Sequence, residues 1–344
     1  MDVITLRRPF DAHVHLRDGV ALETVVPHVA RDFGRALVMP NLTPPVTTTD
    51  GALAYRDRIL AQVPSGVDFE PLMALYLTDA TTPEEIERAA ATPGVVAVKL
   101  YPAGATTNSD AGVTSIERVA DALVAMEEHG LLLLVHGEVT RDDVDVFDRE
   151  ARYLDEVLAP VVEKHARLKV VLEHVTTAQG VDFVKSARDG VAGTITAHHL
   201  LYHRNHLLAG RIRPHLYCLP ILKAAPHREA LIEAATSGSP RFFLGTDSAP
   251  HPRGAKECHE GCAGCYTSPT ALALYAEVFE AAGALARLDD FASGFATAFY
   301  GLDPIDGEVT LRREEWTVPA TYALGAEELV PLRANETLTW RRAD

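Results

Sequence analysis

Eight apolar, β-branched runs recur along the chain: Ile4–His15, Arg35–Asn41, Phe69–Tyr76, Val95–Tyr101, Leu131–Glu138, Lys169–Val175, Val191–Leu200 and Arg241–Ser248. They are nearly continuous in hydrophobicity rather than alternating, as parallel strands covered on both faces should be. Helix signals lie between them. Thr82-Pro83-Glu84-Glu85 reads as an N-cap, a proline at the first helical position and a capping-box glutamate. Thr114-Ser115-Ile116-Glu117 opens a helix that Gly130 closes, and Ser268-Pro269 precedes another over Ala271–Ala282. Strand and helix alternating eight times predict an α/β fold, the (β/α)8 TIM barrel, over an open doubly wound sheet. No Pro/Gly/Ser linker marks a boundary, so residues 1–344 read as one barrel domain. From about Pro304 the pattern turns to short, charged, strand-like pieces, expected as a C-terminal tail packed on the barrel.

Composition narrows the function. The 32 basic and 48 acidic residues leave a formal charge of −16, which argues against nucleic acid or an anionic membrane as partner. The longest purely aliphatic run, Leu131–Val135, is far short of the ~20 residues a membrane helix needs. The opening Met-Asp-Val-Ile-Thr-Leu-Arg-Arg-Pro has no apolar leader, and four cysteines are too few for a disulfide scaffold. A cytoplasmic enzyme with a small-molecule substrate is expected. The fifteen histidines change the picture most, because several end the apolar runs.

In a TIM barrel the chemistry collects at the C-terminal ends of the strands. Those ends carry His13 and His15, Lys99, His136, His174 and Asp247. His13 and His15 are alternate residues, so both imidazoles face the same side and suit one divalent ion. An ammonium at Lys99, inside Val95–Tyr101, is costly to bury unless it is paired or neutral. A neutral amine can take up CO2 as a carbamate, whose two oxygens bridge two ions. Asp247 can ligate metal and also shuttle a proton. Four histidines, a lysine and an aspartate exceed the needs of one zinc ion and suggest two.

These residues resemble the amidohydrolase superfamily, and more narrowly the short-type, homodimeric dihydroorotase family. The resemblance is carried by Asp11-Ala-His-Val-His-Leu-Arg-Asp18, Met39-Pro-Asn-Leu-Thr-Pro-Pro45, Val98-Lys-Leu-Tyr-Pro-Ala-Gly104, Thr106-Thr-Asn-Ser109, Leu134-Val-His-Gly-Glu138, Arg213-Pro-His-Leu-Tyr-Cys-Leu-Pro220, Thr246-Asp-Ser-Ala-Pro-His251 and Gly261-Cys-Ala-Gly-Cys265. It implies two zinc ions per subunit. His13, His15 and Asp247 would hold one and His136 and His174 the other, with N6-carboxylated Lys99 bridging them. It implies that Arg17, Asn41 and His251 hold a substrate carboxylate, bordered by His15 and His136. Leu219 and Ala263 would meet the ring through their backbones, and Thr106 and Thr107 would belong to a mobile loop over the substrate. The implied reaction is the reversible cyclisation of N-carbamoyl-L-aspartate to L-dihydroorotate in pyrimidine synthesis. A hydroxide between the zinc ions would attack, and Asp247 would be the general acid and base. The implied assembly is a homodimer. Relatives in a longer subfamily carry a β-sandwich built from both termini. Here the first strand begins near residue 4, leaving no room for its N-terminal half.

Other readings compete. Cys258-x3-Cys262-x2-Cys265 has the spacing of a radical S-adenosylmethionine iron–sulfur motif, and with His259 that of a structural zinc site. Small residues packing a loop beside the site are the plainer expectation. Hydantoinases and allantoinases would keep the metal set but differ at Arg17 and His251. Of the crowded His198, His199, His203, His206 and His215, only His199 and His215 are expected near the mouth. His28, His129, His165, His227 and His259 are expected at the surface.

Overall fold

The computed structural model describes residues 2–343. Its first apolar run is two strands, β1 (Val3–Arg7) and β2 (Phe10–Val14), rather than one. The break falls at Arg8-Pro9, where proline has no N–H to give a ladder. Strands β2 to β9 form one eight-stranded sheet in sequence order, every pair parallel. The later members are β3 (Arg35–Val38), β4 (Glu70–Tyr76), β5 (Val95–Leu100), β6 (Leu132–Val135), β7 (Val170–Leu172), β8 (Val191–Ile195) and β9 (Phe242–Leu244). A parallel bridge from Val14 to Ser248 joins last strand to first. The Asp247 amide donates to the His13 carbonyl (2.8 Å) and the His15 amide to the Ser248 carbonyl (3.0 Å) beside it. The sheet is therefore closed, a (β/α)8 barrel, and its seam runs through the backbone of three predicted site residues.

Alternation sorts the strands into two cores. Val98, Leu133, Val170 and Ile195 face the surrounding helices. Ala97, Leu132, Leu134, Val171 and Phe243 face inward, where they pack with Phe10, Leu37 and Leu72. The helix Phe295–Tyr300 plugs the lower end, with the Tyr300 ring 5.4 Å from that of Phe10.

Local signals shape the helices. Thr82 Oγ1 accepts the Glu85 amide at 3.3 Å and opens the helix Pro83–Ala90. The Glu85 carboxylate does not reach back to complete a capping box; it accepts from the Thr49 amide (2.5 Å) and hydroxyl (2.7 Å) at the head of the preceding helix. The helix after Ser115 begins as a 3-10 turn, Ile116–Val119, and continues as Ala120–His129. Gly130 ends it at φ 78°, a conformation glycine adopts without strain.

The tail comprises β10 (Glu308–Thr317), β11 (Tyr322–Leu324), β12 (Glu327–Leu329) and β13 (Thr337–Arg342). The chain start joins this tail. β1 pairs antiparallel with β10, which pairs with β13, so both ends of the chain build one small sheet. The β11–β12 hairpin docks on the helix Val20–Asp32, where Thr24 Oγ1 donates to the Ala323 carbonyl (2.8 Å). His28 is half-buried and packs edge-on to Tyr322 with ring centroids 4.5 Å apart, and His165 is buried against Glu127; neither is the surface residue its sequence context suggested. Among the described residues no helix is long and apolar enough to cross a membrane.

Candidate active site

The inward-facing rows change character at the upper end of the barrel. On β5 the row Ala97, Lys99, Tyr101 passes from apolar to polar, and beyond β6 the row Leu132, Leu134 continues to His136. Two devices bring in side chains that simple alternation would turn away. The β2–β3 register shifts between Asp11 and Val14, a bulge that re-aims His13. His174 and Asp247 sit at φ 40° and 44°, left-handed conformations that cost free energy for side chains of this kind. Without the turn at His174 only Glu173 would point inward; with it both do.

The donors converge. The ring of His13 lies 5.3 Å from that of His15 and 5.1 Å from that of His174, and His136 and His174 are 4.8 Å apart. Asp247 Oδ1 is 3.0 Å from His15 Nε2 and 3.3 Å from His13 Nε2. His13, His15 and Asp247 together form a buried three-donor group able to hold a metal ion. Lys99 is fully buried, its Nζ 5.1 Å from the Tyr101 ring centroid.

Outer partners orient the rings. Glu173 Oε2 is 2.8 Å from His13 Nδ1 and accepts from Thr194 Oγ1 (2.6 Å). Asn41 Oδ1 is 2.8 Å from His15 Nδ1, and Glu138 Oε2 is 2.9 Å from His136 Nε2. Each bond fixes which nitrogen is left to face the centre. Asp11 accepts from the amides of His13 and Thr246 and from the Thr246 hydroxyl, tying the ends of β2 and β9 together.

Charge is held in unusual states. Burial lowers the Lys99 pKa to about 8, against the opposing pull of Glu173 and Asp247. Burial also depresses His15 to about 4 and His174 well below its usual value, the latter helped by the Lys99 charge. Burial alone would raise the Asp247 carboxyl, but hydrogen bonds from His13 and His15 hold it well below the usual range. Lys99 Nζ and His174 Nδ1 are buried with no hydrogen-bond partner. Unpaired groups of this kind cost about 1–3 kcal/mol each, and a shared cation or its ligands would satisfy them. The donor set therefore fits divalent metal.

A narrow cavity opens above these groups, lined by His13, His15, Arg17, Asn41, Tyr101, Thr106, Thr107, His136, His174, Leu219, Asp247 and Ala263 among others. Arg17, itself at φ 59°, donates to the Pro250 carbonyl (3.2 Å) and lies 3.0 Å from His251 Nε2. His251 stands behind Arg17 rather than on the cavity wall. Thr107 hangs over the opening: its carbonyl accepts from Asn41 Nδ2 (3.0 Å), and its hydroxyl donates to the Ala263 carbonyl (3.4 Å).

The chain matches the amidohydrolase family over residues 10–308. It is 61% identical over 344 residues to a dihydroorotase of Azoarcus sp. (strain BH72), covering all of both chains. The chain belongs to the dihydroorotase family. Two crystal structures from that family superpose on it with a TM-score of 0.92. One is a dihydroorotase from Campylobacter jejuni, at 36% identity, covering 100% of this chain and 98% of that one. The other is a Saccharomyces cerevisiae dihydroorotase in complex with 5-fluoroorotic acid, at 34% identity, covering 100% and 99%. Membership makes this chain a hydrolase of cyclic amides.

Family and fold leave no place for an iron–sulfur radical site. Cys258 is exposed and Cys262 half-buried, and among the described residues they do not join Cys265 in a common donor cluster. His199 is buried against Thr196 and the Pro220 carbonyl, and His215 pairs with Glu257, so neither lines the cavity. Glu173 and Thr194 were missed by reading the sequence. The signal available for Glu173 was its place two residues after Val171, on the inward row.

Proposed function

We propose that this protein interconverts L-dihydroorotate and N-carbamoyl-L-aspartate in the cytoplasm, as a homodimer. The observation that carries the reading is the enclosed, unpartnered Lys99 amine, within electrostatic reach of His13, His174, Glu173 and Asp247, in a chain so close to named dihydroorotases. Two zinc ions would be held by His13, His15 and Asp247 on one side and His136 and His174 on the other. Lys99 would bridge them as its carbamate, formed when the neutral amine adds CO2 and releases a proton. When bound, the ions supply Lewis acidity, bringing the pKa of a coordinated water near ~7 and polarising a carbonyl.

The chain's own groups do the rest. Arg17 offers its fork to the substrate carboxylate, a bidentate match, with His251 supporting it from behind and Asn41 alongside. The Asn41 amide is engaged on both sides, by His15 and by the Thr107 carbonyl. Its Nδ2 carries two N–H donors, so a carboxylate can take one while the other holds the Thr107 carbonyl, which puts substrate and the loop of Thr106 and Thr107 on one amide. The backbones of Leu219 and Ala263 meet the ring. Asp247 accepts the proton of the attacking water and passes it to the departing ring nitrogen; in cyclisation the same transfers run in reverse. The closed loop keeps bulk water from competing.

The test is an assay of the purified protein with dihydroorotate, hydantoin and allantoin in parallel, with metal analysis of the same sample. Turnover of dihydroorotate alone and at least two zinc ions per chain are expected. Turnover of hydantoin without dihydroorotate would overturn the substrate assignment and leave the family unchanged.

A further inference from the structure

The loops beyond β8 and β9 hold a second donor group that the reaction does not use. His198 sits on the short helix Ala197–Leu201, Cys218 follows the 3-10 turn Pro214–Leu216, and Cys265 bridges to Ser248 just past β9. One donor atom from each lies within 4.8 Å of the others, and all three residues are buried. Neither ring nitrogen of His198 has a hydrogen-bond partner, although the residue is 0% exposed. A polar ring enclosed in this way forfeits the hydrogen bonds it would make to water, and interiors rarely leave one unsatisfied. The two thiols meanwhile lean on backbone carbonyls, Cys218 Sγ 3.4 Å from that of Pro220 and Cys265 Sγ 3.3 Å from that of His215.

Two sulfurs and an imidazole are a soft set, unlike the nitrogen and oxygen donors at the barrel mouth, and structural zinc sites are built from such ligands. We propose that His198, Cys218 and Cys265 form a structural site for a thiophilic divalent cation of the zinc class, which clamps the loops after β8 and β9. Each thiol releases its proton to solvent as it ligates. A dication, two thiolates and a neutral imidazole then sum to no net charge, which a buried site tolerates. The donors, up to 4.8 Å apart, close in around the ion. His199 Nε2, 3.7 Å from Cys218 Sγ, is at hand for a fourth position.

The site's location gives it a consequence. Cys218 immediately precedes Leu219, and Cys265 stands two residues after Ala263, so an ion there fixes both walls of the cavity. Lys256 already draws the same segments together, donating to the carbonyls of Tyr217 (2.9 Å), Cys262 (2.9 Å) and Gly264 (2.7 Å). The cysteine spacing in the sequence pointed to Cys258 and Cys262 as partners of Cys265. The fold supplies Cys218 and His198 instead.

The experiment is metal removal from the full chain followed by titration with Co(II), read by absorption. A thiolate-to-cobalt charge-transfer band in the near ultraviolet is expected in the wild type; the mouth, lacking sulfur, cannot produce one. Cys218→Ser and His198→Gln should lose or shift that band and hold one metal equivalent fewer, while Cys258→Ser keeps both. Absence of the band in wild type at saturating Co(II) would overturn the site without any variant. So would a band unchanged in Cys218→Ser. Because the band reports sulfur ligation alone, the result stands apart from whether the mouth turns over dihydroorotate.

Discussion

At the lower end of the barrel Phe10, Leu37, Leu72, Leu132, Val171 and Phe243 interdigitate under the Phe295–Tyr300 helix. A few residues further along the same strands the inward positions are Lys99, His13, His136, Glu173 and Asp247; Lys99 and Glu173 keep unpaired buried atoms, and Arg17, His174 and Asp247 hold left-handed backbone conformations. The strands and their direction are shared; only the chemistry of the inward row differs. The lower layers hold the barrel shut, and that rigidity lets the upper layer keep buried polar groups that would not stay together unaided.

The difference can be broken from either side. The largest effect is expected from Lys99→Met. It should cost several kcal/mol of transition-state stabilisation, roughly 1000-fold or more in turnover, and abolish tight metal retention. Thermal stability should hold or rise, because an apolar side chain replaces a buried amine. A fall in Tm with activity retained would reverse the proposed division between the two ends. Next comes Phe243→Ala in the lower layer. A loss of about 3–5 kcal/mol in denaturant unfolding is expected, with kcat of the folded fraction unchanged. Glu173→Gln lies on the border, since it touches His13 without facing the cavity. Metal affinity, followed by chelator competition, should drop by roughly 10–100-fold, and unfolding should change little.

How far the chain declared this arrangement in advance depends on how local each signal was. The strand ends were legible because each site residue interrupts an apolar run. Lys99 in Val95–Leu100 is the clearest case, an ionisable amine near the end of a buried strand. Asn41 was legible as a substrate residue from the family resemblance, but its bond to His15 follows from two loops meeting, which no local pattern encodes. Reading Ile4–His15 as a single strand failed for the same reason: the partner of β1 lies some three hundred residues away. Cys218 was passed over because it stands alone in sequence, while Cys258 and Cys262 misled through spacing. His28 was assigned to the surface because its surroundings read as helix or loop; the hairpin that packs on it comes from the tail.

That histidine supplies the smallest predicted effect. Burial, then the Arg31 charge, lowers its pKa from 6.5 to about 4 in the folded chain. The folded state therefore favours the neutral ring. The stability it contributes is full above pH ~6.5 and is lost as the pH falls toward 4. His28→Gln should flatten the dependence of Tm on pH across that window. An unchanged slope would show that the hairpin leaves the ring open to water.

The pairing of Val3–Arg7 with Glu308–Arg312 also bears on how the molecule is made. The strand that leads into the barrel emerges from the ribosome some three hundred residues ahead of its neighbour. Until that neighbour emerges its edge stays unpaired, a template for other nascent chains. Ribosome-stalled intermediates ending before Glu308 should accordingly depend most on chaperone protection.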